Sequence, residues 1–324
     1  MNDIPKCSAP FSQLTLDSQG NVYPCCYHFG YRLGNINRDS ITSIWHGPKL
    51  KKLRQEFLTN QIKTCRGRMK NLSCHQSFQH LPSVQANSPV RIDIRLNGTC
   101  NLKCIMCDVW KNPEGVFDQG NFWEDSQENL FPYLAEIEVI GGEPFIQEDT
   151  FRLIREVSKV NSNCLWSFVT NASYKFSKRI KSTLEGINLG KIHISLDSLD
   201  PSTYAKIRRG GNLKTTLHCL DQWLKFRDER RKMGFEFPMV LSSCILQHNW
   251  QEIPTFIQFC QTKGCIPQLQ YAYKDPSGSS LEFLGHHERE IVSQSIRKSI
   301  KQDDIRFVRP ILAALEPKQT PQPT

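Results

Sequence analysis

Three cysteines lie close together in the segment NGTCNLKCIMCDVW, residues 97–110, at Cys100, Cys104 and Cys107. Thiolates bind both zinc and iron–sulfur clusters, but a closed structural zinc site takes four protein ligands and no fourth cysteine follows nearby. Three thiolates from one loop suit a [4Fe–4S] cluster whose fourth iron keeps an open position, as catalytic metals do. The spacing favours such a cluster over zinc, for which Asp108, a histidine or water would supply the fourth ligand.

The other cysteines form a group near the N-terminus and a scattered set. The chain has 324 residues and 13 cysteines, an odd number that does not suit a disulfide framework. The N-terminus lacks the features of a signal peptide, and no run approaches 18 apolar residues. We therefore expect a cytosolic chain with reduced thiols and no membrane partner. The scattered cysteines are interpreted as small core residues. They are Cys164, Cys219, Cys244, Cys260 and Cys265.

The net charge of +9 raises the question of an anionic partner. Basic residues gather at 49–54, 63–70 and 227–233, and we interpret these clusters as solvent-exposed faces. The alternative is that these clusters bind an anionic partner such as nucleic acid. Aromatic residues do not interleave regularly with these charges, so a nucleic-acid surface is the weaker interpretation.

From residue 91 onward, short apolar runs alternate with amphipathic helical patterns, such as those at 148–160, 212–226 and 252–264. This alternation predicts an α/β fold with a parallel sheet. Six β/α units make a three-quarter barrel or an open sheet. The predicted strands are 91–96, 136–140, 165–170, 192–196, 239–246 and 268–273.

The strand at 91–96 alternates apolar residues with Arg91, Asp93 and Arg95. In the next strand, Glu136 and Glu138 alternate with apolar residues in the same way. If the apolar faces pack on outer helices, the polar faces point inward. A closed barrel normally fills its interior with apolar side chains, so a polar interior favours an incompletely closed barrel that holds a polar ligand.

The N-terminal 85 residues differ from this pattern, because they are rich in cysteine and loops. A hairpin is predicted with its turn at Asp17–Gly20, and a helix is predicted over 48–58. The polar segment 79–89 has two prolines and is interpreted as a linker. We thus expect a small domain over 1–85 and a core over 86–280. An extension with a strand-like piece at Ile305–Val308 and a frayed tail should follow over 281–324.

The C-x3-C-x2-C spacing after the first strand of a βα barrel resembles the signature of radical SAM enzymes. The resemblance implies that the open iron of the cluster binds the amino and carboxylate groups of S-adenosylmethionine. It also implies a partial (β/α)6 barrel of the radical SAM type. Met106 stands where the family usually has an aromatic residue before the last cysteine, and an apolar side chain suits packing on the adenine.

Further motifs follow the strands in the order that this family has them. The resemblance assigns the GGEP turn, 141–144, to the cofactor's amino group, and a pair of glycines lets the backbone approach a ligand closely. It assigns Ser195 and Asp197 to the ribose region. It assigns Arg208 or Arg209 to the cofactor's carboxylate, which a cation suits. The cofactor contacts implied in this way are Met106, Gly141, Gly142, Glu143, Pro144, Thr170, Asn171, Ser195, Asp197 and Arg208, with Asn249 as a less specific motif after the fifth strand.

The N-terminal cysteines, with C-x12-G-x4-C at their start, resemble the SPASM/Twitch module, which carries auxiliary iron–sulfur clusters in peptide-modifying and related radical SAM enzymes. The resemblance implies one auxiliary [4Fe–4S] cluster on Cys7, Cys25, Cys65 and Cys74, with Cys26 as an alternative to Cys25. Here the module precedes the barrel instead of following it, and its usual closing C-x2-C is absent. A structural zinc site with four thiolates is the other interpretation.

Together these resemblances imply an oxidoreductase or transferase that reductively cleaves S-adenosylmethionine to a 5′-deoxyadenosyl radical, which abstracts hydrogen from a substrate. The leading hypothesis is a maturase acting on a peptide. The alternatives are an enzyme acting on a small molecule such as an amino sugar or nucleotide, an enzyme acting on RNA, and a non-catalytic zinc protein. We expect an electron donor such as flavodoxin or ferredoxin.

Overall fold

The computed structural model describes residues 7–59, 61–65, 87–272 and 275–316, which divide into two compact units. Unit 1 comprises Met1–Cys100, Val109–Thr170 and Phe176–Ile192, and unit 2 comprises Asn101–Asp108, Asn171–Lys175 and His193–Thr324.

Unit 1 contains the N-terminal module and the first strands of the predicted barrel. Its strands follow the order β3-β2-β1-β4-β5-β6-β7. The elements are α1 (Ala9–Ser12), β1 (Gln13–Leu16), β2 (Asn21–Tyr23), β3 (Gly34–Asn35), α2 (Ile41–Trp45), α3 (Pro48–Leu58), β4 (Arg91–Ile94), α4 (Phe122–Asn129), β5 (Glu136–Val139), α5 (Glu148–Val160), β6 (Leu165–Thr170), α6 (Lys178–Glu185) and β7 (Asn188–Ser195), whose last three residues belong to unit 2.

The predicted hairpin forms between β1 and β2, which pair antiparallel. Gly20 adopts a φ of 73° in the turn, which favours glycine, and its N–H donates to the Asp17 carbonyl at 2.9 Å. On its other side β1 pairs in parallel with β4, with Thr15 opposite Asp93. The N-terminal hairpin and the first barrel strand are therefore parts of one sheet.

The two faces of this sheet differ as the alternation predicted. Ile92 and Ile94 of β4 are fully buried on the apolar face. On the other face Arg91 forms ion pairs with Glu136 at 3.4 Å and Glu138 at 3.1 Å. The β4–β5 and β5–β6 pairs are parallel, so polar residues of neighbouring strands lie side by side across this face.

Unit 2 contains the later β/α elements. The end of β7 adjoins β8 through a hydrogen bond from Leu196 N–H to the Ser242 carbonyl at 2.8 Å, and β8 pairs in parallel with β9. The elements are α7 (Pro201–Ile207), α8 (Leu213–Lys232), β8 (Met239–Ile245), α9 (Ile253–Thr262), β9 (Ile266–Tyr271), α10 (His286–Ser299) and α11 (Ile305–Leu315).

The predicted α/β class is confirmed, and each of the six predicted strands matches one of β4–β9 within a few residues. The strand predicted at Ile305–Val308 is wrong, because these residues begin α11, which packs against β9. The boundaries 1–85, 86–280 and 281–324 stay a prediction, and most of the predicted linker 79–89 lies outside the described residues. In the described ranges, no helix combines the length and apolar character needed to cross a bilayer.

Arg54 of α3 joins the three N-terminal helices. Its guanidinium donates to the carbonyls of Pro10 and Trp45, each at 2.8 Å, and lies 4.3 Å from the centroid of the Trp45 ring. Arg54→Met keeps the aliphatic bulk but leaves two buried carbonyls without donors. We expect the free energy of unfolding to fall by about 2–4 kcal/mol. Urea unfolding followed by circular dichroism measures this.

Lys51→Met, on the exposed face of the same helix, is the matched control and should change stability by less than about 0.5 kcal/mol. Equal unfolding midpoints for Arg54→Met and the unchanged chain would contradict the role given to Arg54.

Candidate functional site

The three cysteines of the motif lie in the loop that follows β4. All three are half-buried, and none of the described cysteines forms a disulfide. Cys100 belongs to unit 1, whereas Cys104 and Cys107 belong to unit 2. No three metal-ligating side chains in the described ranges are gathered as a single ion would require. The contacts of each part of the loop are therefore described within its own unit.

In unit 1 the chain immediately before Cys100 is fixed by the GGEP turn. The Thr99 carbonyl accepts hydrogen bonds from the Glu143 N–H and from Gln147 Nε2, both at 2.9 Å. Gly142 has a φ of 53°, and a Cβ atom there would lie 2.3 Å from the Thr99 carbonyl oxygen. Only glycine permits this approach. The GGEP turn and the start of the cysteine loop are thus one packed structure.

The Glu143 side chain is fully buried and turns inward from the same segment. Its carboxylate accepts hydrogen bonds from the Thr170 hydroxyl at 2.7 Å and from the Phe145 N–H at 3.2 Å. Pro144 is buried at the start of a short 3-10 helix, Pro144–Ile146. The structure therefore brings together three predicted residues at the carboxyl ends of β5 and β6, the edge where α/β folds bind ligands.

In unit 2 a second set of bonds fixes the rest of the loop. Asn171 donates through Nδ2 to Asn101 Oδ1 at 2.9 Å, and Asn101 donates to the Ser173 carbonyl at 2.7 Å. Two backbone bonds follow, from Lys103 N–H to the Arg209 carbonyl at 2.8 Å and from Ile105 N–H to the Ile207 carbonyl at 2.9 Å. The loop around Cys104 is thereby joined to the segment that carries Arg208.

Arg208 and Asp197 form a buried ion pair, with 2.7 Å between Nε and Oδ2. Burial acts to lower the pKa of Arg208, but the Asp197 carboxylate and the nearby Cys104 raise it. Asp197 also accepts from the Cys244 N–H at 2.7 Å, and its carbonyl accepts from Asn249 Nδ2 at 2.6 Å. A fixed cation therefore lies close to Cys104.

Arg209, the other predicted candidate for the cofactor's carboxylate, is exposed. Ser195 is half-buried at the end of β7. Met106 is partly buried and packs, with Ile105, against a cluster that includes Ile207 and Leu246. The cofactor contacts of Met106 and Ser195 stay predictions. Of the two arginines, Arg208 is buried and Arg209 is exposed.

The N-terminal cysteines separate into two environments. Cys7 and Cys25 are buried, Cys65 is half-buried, and Cys74 lies outside the described residues. The thiol of Cys26 instead forms a hydrogen bond with Asp93 on the polar face of β4. Burial and the charge of Asp93 raise the pKa of this thiol.

The sequence-based reasoning missed several residues that hold the cysteine loop. Asn97 accepts from the Thr99 N–H at 2.9 Å and donates to Asp149 at 2.6 Å. Asn97, Thr99, Asn101 and Gln147 order the loop through individual hydrogen bonds. Such bonds require no regular spacing of residues, so a sequence pattern does not reveal them. Of the scattered cysteines, Cys164, Cys219, Cys260 and Cys265 are buried as predicted, and Cys244 is half-buried.

Similar curated proteins include a probable GTP 3′,8-cyclase from Methanococcus maripaludis (strain C6), 24% identical over 217 residues that cover 65% of this chain and 66% of that protein. A GTP 3′,8-cyclase from Clostridium botulinum (strain Langeland) is 28% identical over 244 residues, covering 67% of this chain and 72% of that protein. The chain thus spans slightly less than two thirds of the first of these relatives.

Two solved structures match part of this chain, and the first of them is similar in fold. Native anSMEcpe with bound AdoMet and a Kp18Cys peptide gives a TM-score of 0.50 at 15% identity, covering 67% of this chain and 61% of that chain. Streptococcus suis SuiB bound to its precursor peptide SuiA gives a TM-score of 0.47 at 12% identity, covering 92% of this chain and 70% of that chain.

Gly142→Ala tests the contact between the GGEP turn and the cysteine loop. The added Cβ would overlap the Thr99 carbonyl, so the loop must shift. We expect the affinity for S-adenosylmethionine, measured by anaerobic equilibrium dialysis, to fall at least about tenfold, which corresponds to about 1.4 kcal/mol. Gly30→Ala is the matched control, since nothing lies within 4 Å of a Cβ there. Unchanged affinity in Gly142→Ala would contradict the packing argument.

Two family models match the chain. The model of the SPASM iron–sulfur cluster-binding domain matches residues 7–71, and the model of the radical SAM superfamily matches residues 94–260. The second match contains the cysteine loop, the GGEP turn and the Asp197–Arg208 pair. The donor set fits what the family requires, because three half-buried thiols share one loop and a buried cation lies beside one of them. The chain belongs to the radical SAM superfamily and carries its SPASM domain before the radical SAM domain.

Proposed function

We propose that this radical SAM enzyme acts on a peptide, and that Cys100, Cys104 and Cys107 hold the [4Fe–4S] cluster that binds S-adenosylmethionine. When bound, this group supplies the one-electron chemistry that converts S-adenosylmethionine to methionine and a 5′-deoxyadenosyl radical. The SPASM match over residues 7–71 is the observation that supports a peptide substrate, because this module is typical of peptide-modifying members of the superfamily. A domain of this kind brings an auxiliary iron–sulfur cluster to the chain.

The chain's own residues orient the cofactor and keep water out. The backbone at Gly141 and Gly142 would bind the methionine end of the cofactor, and both positions need glycine because a Cβ atom would meet the Arg95 side chain at Gly141 and the Thr99 carbonyl at Gly142. The buried Glu143–Thr170 pair fixes the turn behind these glycines. Arg208, held by Asp197, would hold the cofactor's carboxylate with its remaining N–H groups.

The auxiliary cluster is proposed to bind Cys7, Cys25, Cys65 and Cys74. Cys25 is chosen over Cys26 because the Cys26 thiol is hydrogen-bonded to Asp93, whereas Cys25 is buried within the module. Asp93 lies on the same sheet face as Glu138 and Arg91, which places Cys26 with the polar face.

The charge of the polar face in unit 1 favours a peptide over a nucleotide. The carboxylates of Asp93, Glu136 and Glu138 share this face with Arg91, and Lys191 lies near enough to affect Glu138. Burial and the charge of Asp93 raise the pKa of Glu138, although Arg91 and Lys191 oppose the rise. A nucleoside triphosphate carries several negative charges, so the carboxylates of this face would disfavour phosphates placed beside them, although Arg91 and Lys191 reduce the effect.

A small-molecule substrate is the second candidate, because the sequence relatives described above are named GTP 3′,8-cyclases. A nucleoside triphosphate brings several negative charges and a peptide need not, so a variant of the polar face helps to separate the two candidates.

The radical chemistry is tested by anaerobic reconstitution with iron and sulfide, followed by dithionite and S-adenosylmethionine. We expect 5′-deoxyadenosine from the unchanged chain and none from Cys104→Ala, since that variant removes a cluster ligand. Cys65→Ala should retain this cleavage while losing auxiliary iron. Bound zinc without any 5′-deoxyadenosine in the unchanged chain would overturn the proposal.

The choice of substrate is tested with GTP and with peptides encoded beside the gene. We expect the unchanged chain to leave GTP intact, and the double variant Asp93→Asn/Glu138→Gln to bind GTP about 5–10-fold more tightly in equilibrium dialysis, because two repelling charges are removed. The exposed Glu124→Gln is the control for charge. Conversion of GTP by the unchanged chain would favour the nucleotide candidate.

A further inference from the structure

The carboxylate of Glu56 organises the chain that leads to Cys65. Glu56 lies near the end of α3, and one of its oxygens accepts hydrogen bonds from the N–H groups of Lys63 at 3.0 Å and Thr64 at 2.7 Å. The other oxygen accepts from the Thr64 hydroxyl at 2.6 Å. The Glu56 carbonyl also accepts from the Gln61 N–H at 2.9 Å. Glu56 therefore accepts four hydrogen bonds from the segment that ends at Cys65, and these bonds fix the segment.

Glu56 is only 9% exposed, so its carboxylate depends on these donors for solvation. Burial acts to raise its pKa, but the hydrogen bonds from Thr64 and Lys63 and the charge of Lys52 hold the pKa below its usual range. Helix α3 is itself held by fully buried Leu50 and Leu53. The carboxylate is thus a fixed, ionised acceptor on a rigid element.

Helix α3 also connects with the chain at Cys25. The Tyr31 hydroxyl donates to the carbonyl of Lys49, the second residue of α3, at 3.0 Å. Tyr31 stacks on His28 with ring centroids 5.5 Å apart, and the His28 N–H donates to the Cys25 carbonyl at 3.1 Å. The helix that carries Glu56 is thus connected with the chain at Cys25 as well as with the segment before Cys65.

We propose that Glu56 is a positioning residue that sets the place of the Cys65 thiol as a ligand of the auxiliary cluster. This inference rests on the ligand set proposed above. The proposal gives Glu56 no direct part in cluster chemistry, because its carboxylate is hydrogen-bonded to the segment 63–64. Mutation of an outer residue that orients a metal ligand typically costs about 10–100-fold in metal affinity or activity.

The test compares Glu56→Ala with Glu56→Gln in the full chain carrying Cys100→Ala, Cys104→Ala and Cys107→Ala, so that iron, sulfide and the electron paramagnetic resonance signal report the auxiliary cluster alone. Glu56→Ala removes the acceptors, and we expect the reduced signal to fall about 10–100-fold. Glu56→Gln keeps a carbonyl for the two N–H groups, and the Thr64 hydroxyl then accepts from the new amide. This variant should retain the signal.

Gln55→Ala, exposed on the same helix, is the matched control and should leave the signal unchanged. Thr64→Val removes a single hydrogen bond and should alter the signal without abolishing it, which keeps the test valid even if Glu56→Ala fails to fold. Full iron and an unchanged signal in both Glu56→Ala and Thr64→Val would overturn the role of Glu56. Absence of iron before any Glu56 change would instead overturn the ligand set.

Discussion

The carbonyl oxygen of Thr99 is the constraint on which the site depends. A carbonyl has two lone pairs, and here both are used, by the Glu143 N–H and by Gln147 Nε2. This arrangement needs a backbone that comes closer than any side chain permits, and Gly142 provides it at a positive φ. Since Cys100 follows Thr99 directly, the turn after β5 decides where the first thiol of the motif lies.

The Asp197–Arg208 pair plays the corresponding part in unit 2, for a different physical reason. A buried ion pair adds little to stability, because desolvation offsets most of the attraction. It does fix position, since neither charge can move without losing its partner. Asp197 is held further by the Cys244 N–H, and Asn249 holds the backbone at Asp197. The pair therefore places a cation beside Cys104 and contributes placement more than stability.

Periodicity predicted the elements well where one face is continuously buried. Helix α5, Glu148–Val160, matches its predicted bounds, and its buried side chains recur at helical spacing from Thr150 to Val157. Ile305–Val308 was predicted as a strand-like piece, but these residues begin helix α11, which packs against β9. The choice between Cys25 and Cys26 could not be made from spacing. Adjacent residues in a turn face different surroundings, and only the contact with Asp93 separates them.

The structure accounts for the position of the module before the barrel in the chain. Strand β1 pairs in parallel with β4, and the Thr15 hydroxyl donates to Asp93 at 3.3 Å, so the module is built onto the first barrel strand. Chain order matters little once a strand has joined the sheet, because pairing depends on the edge it finds. Cys26 then contacts the polar face while its neighbour Cys25 stays within the module. One turn therefore belongs both to the cysteine-rich module and to the polar face of the sheet.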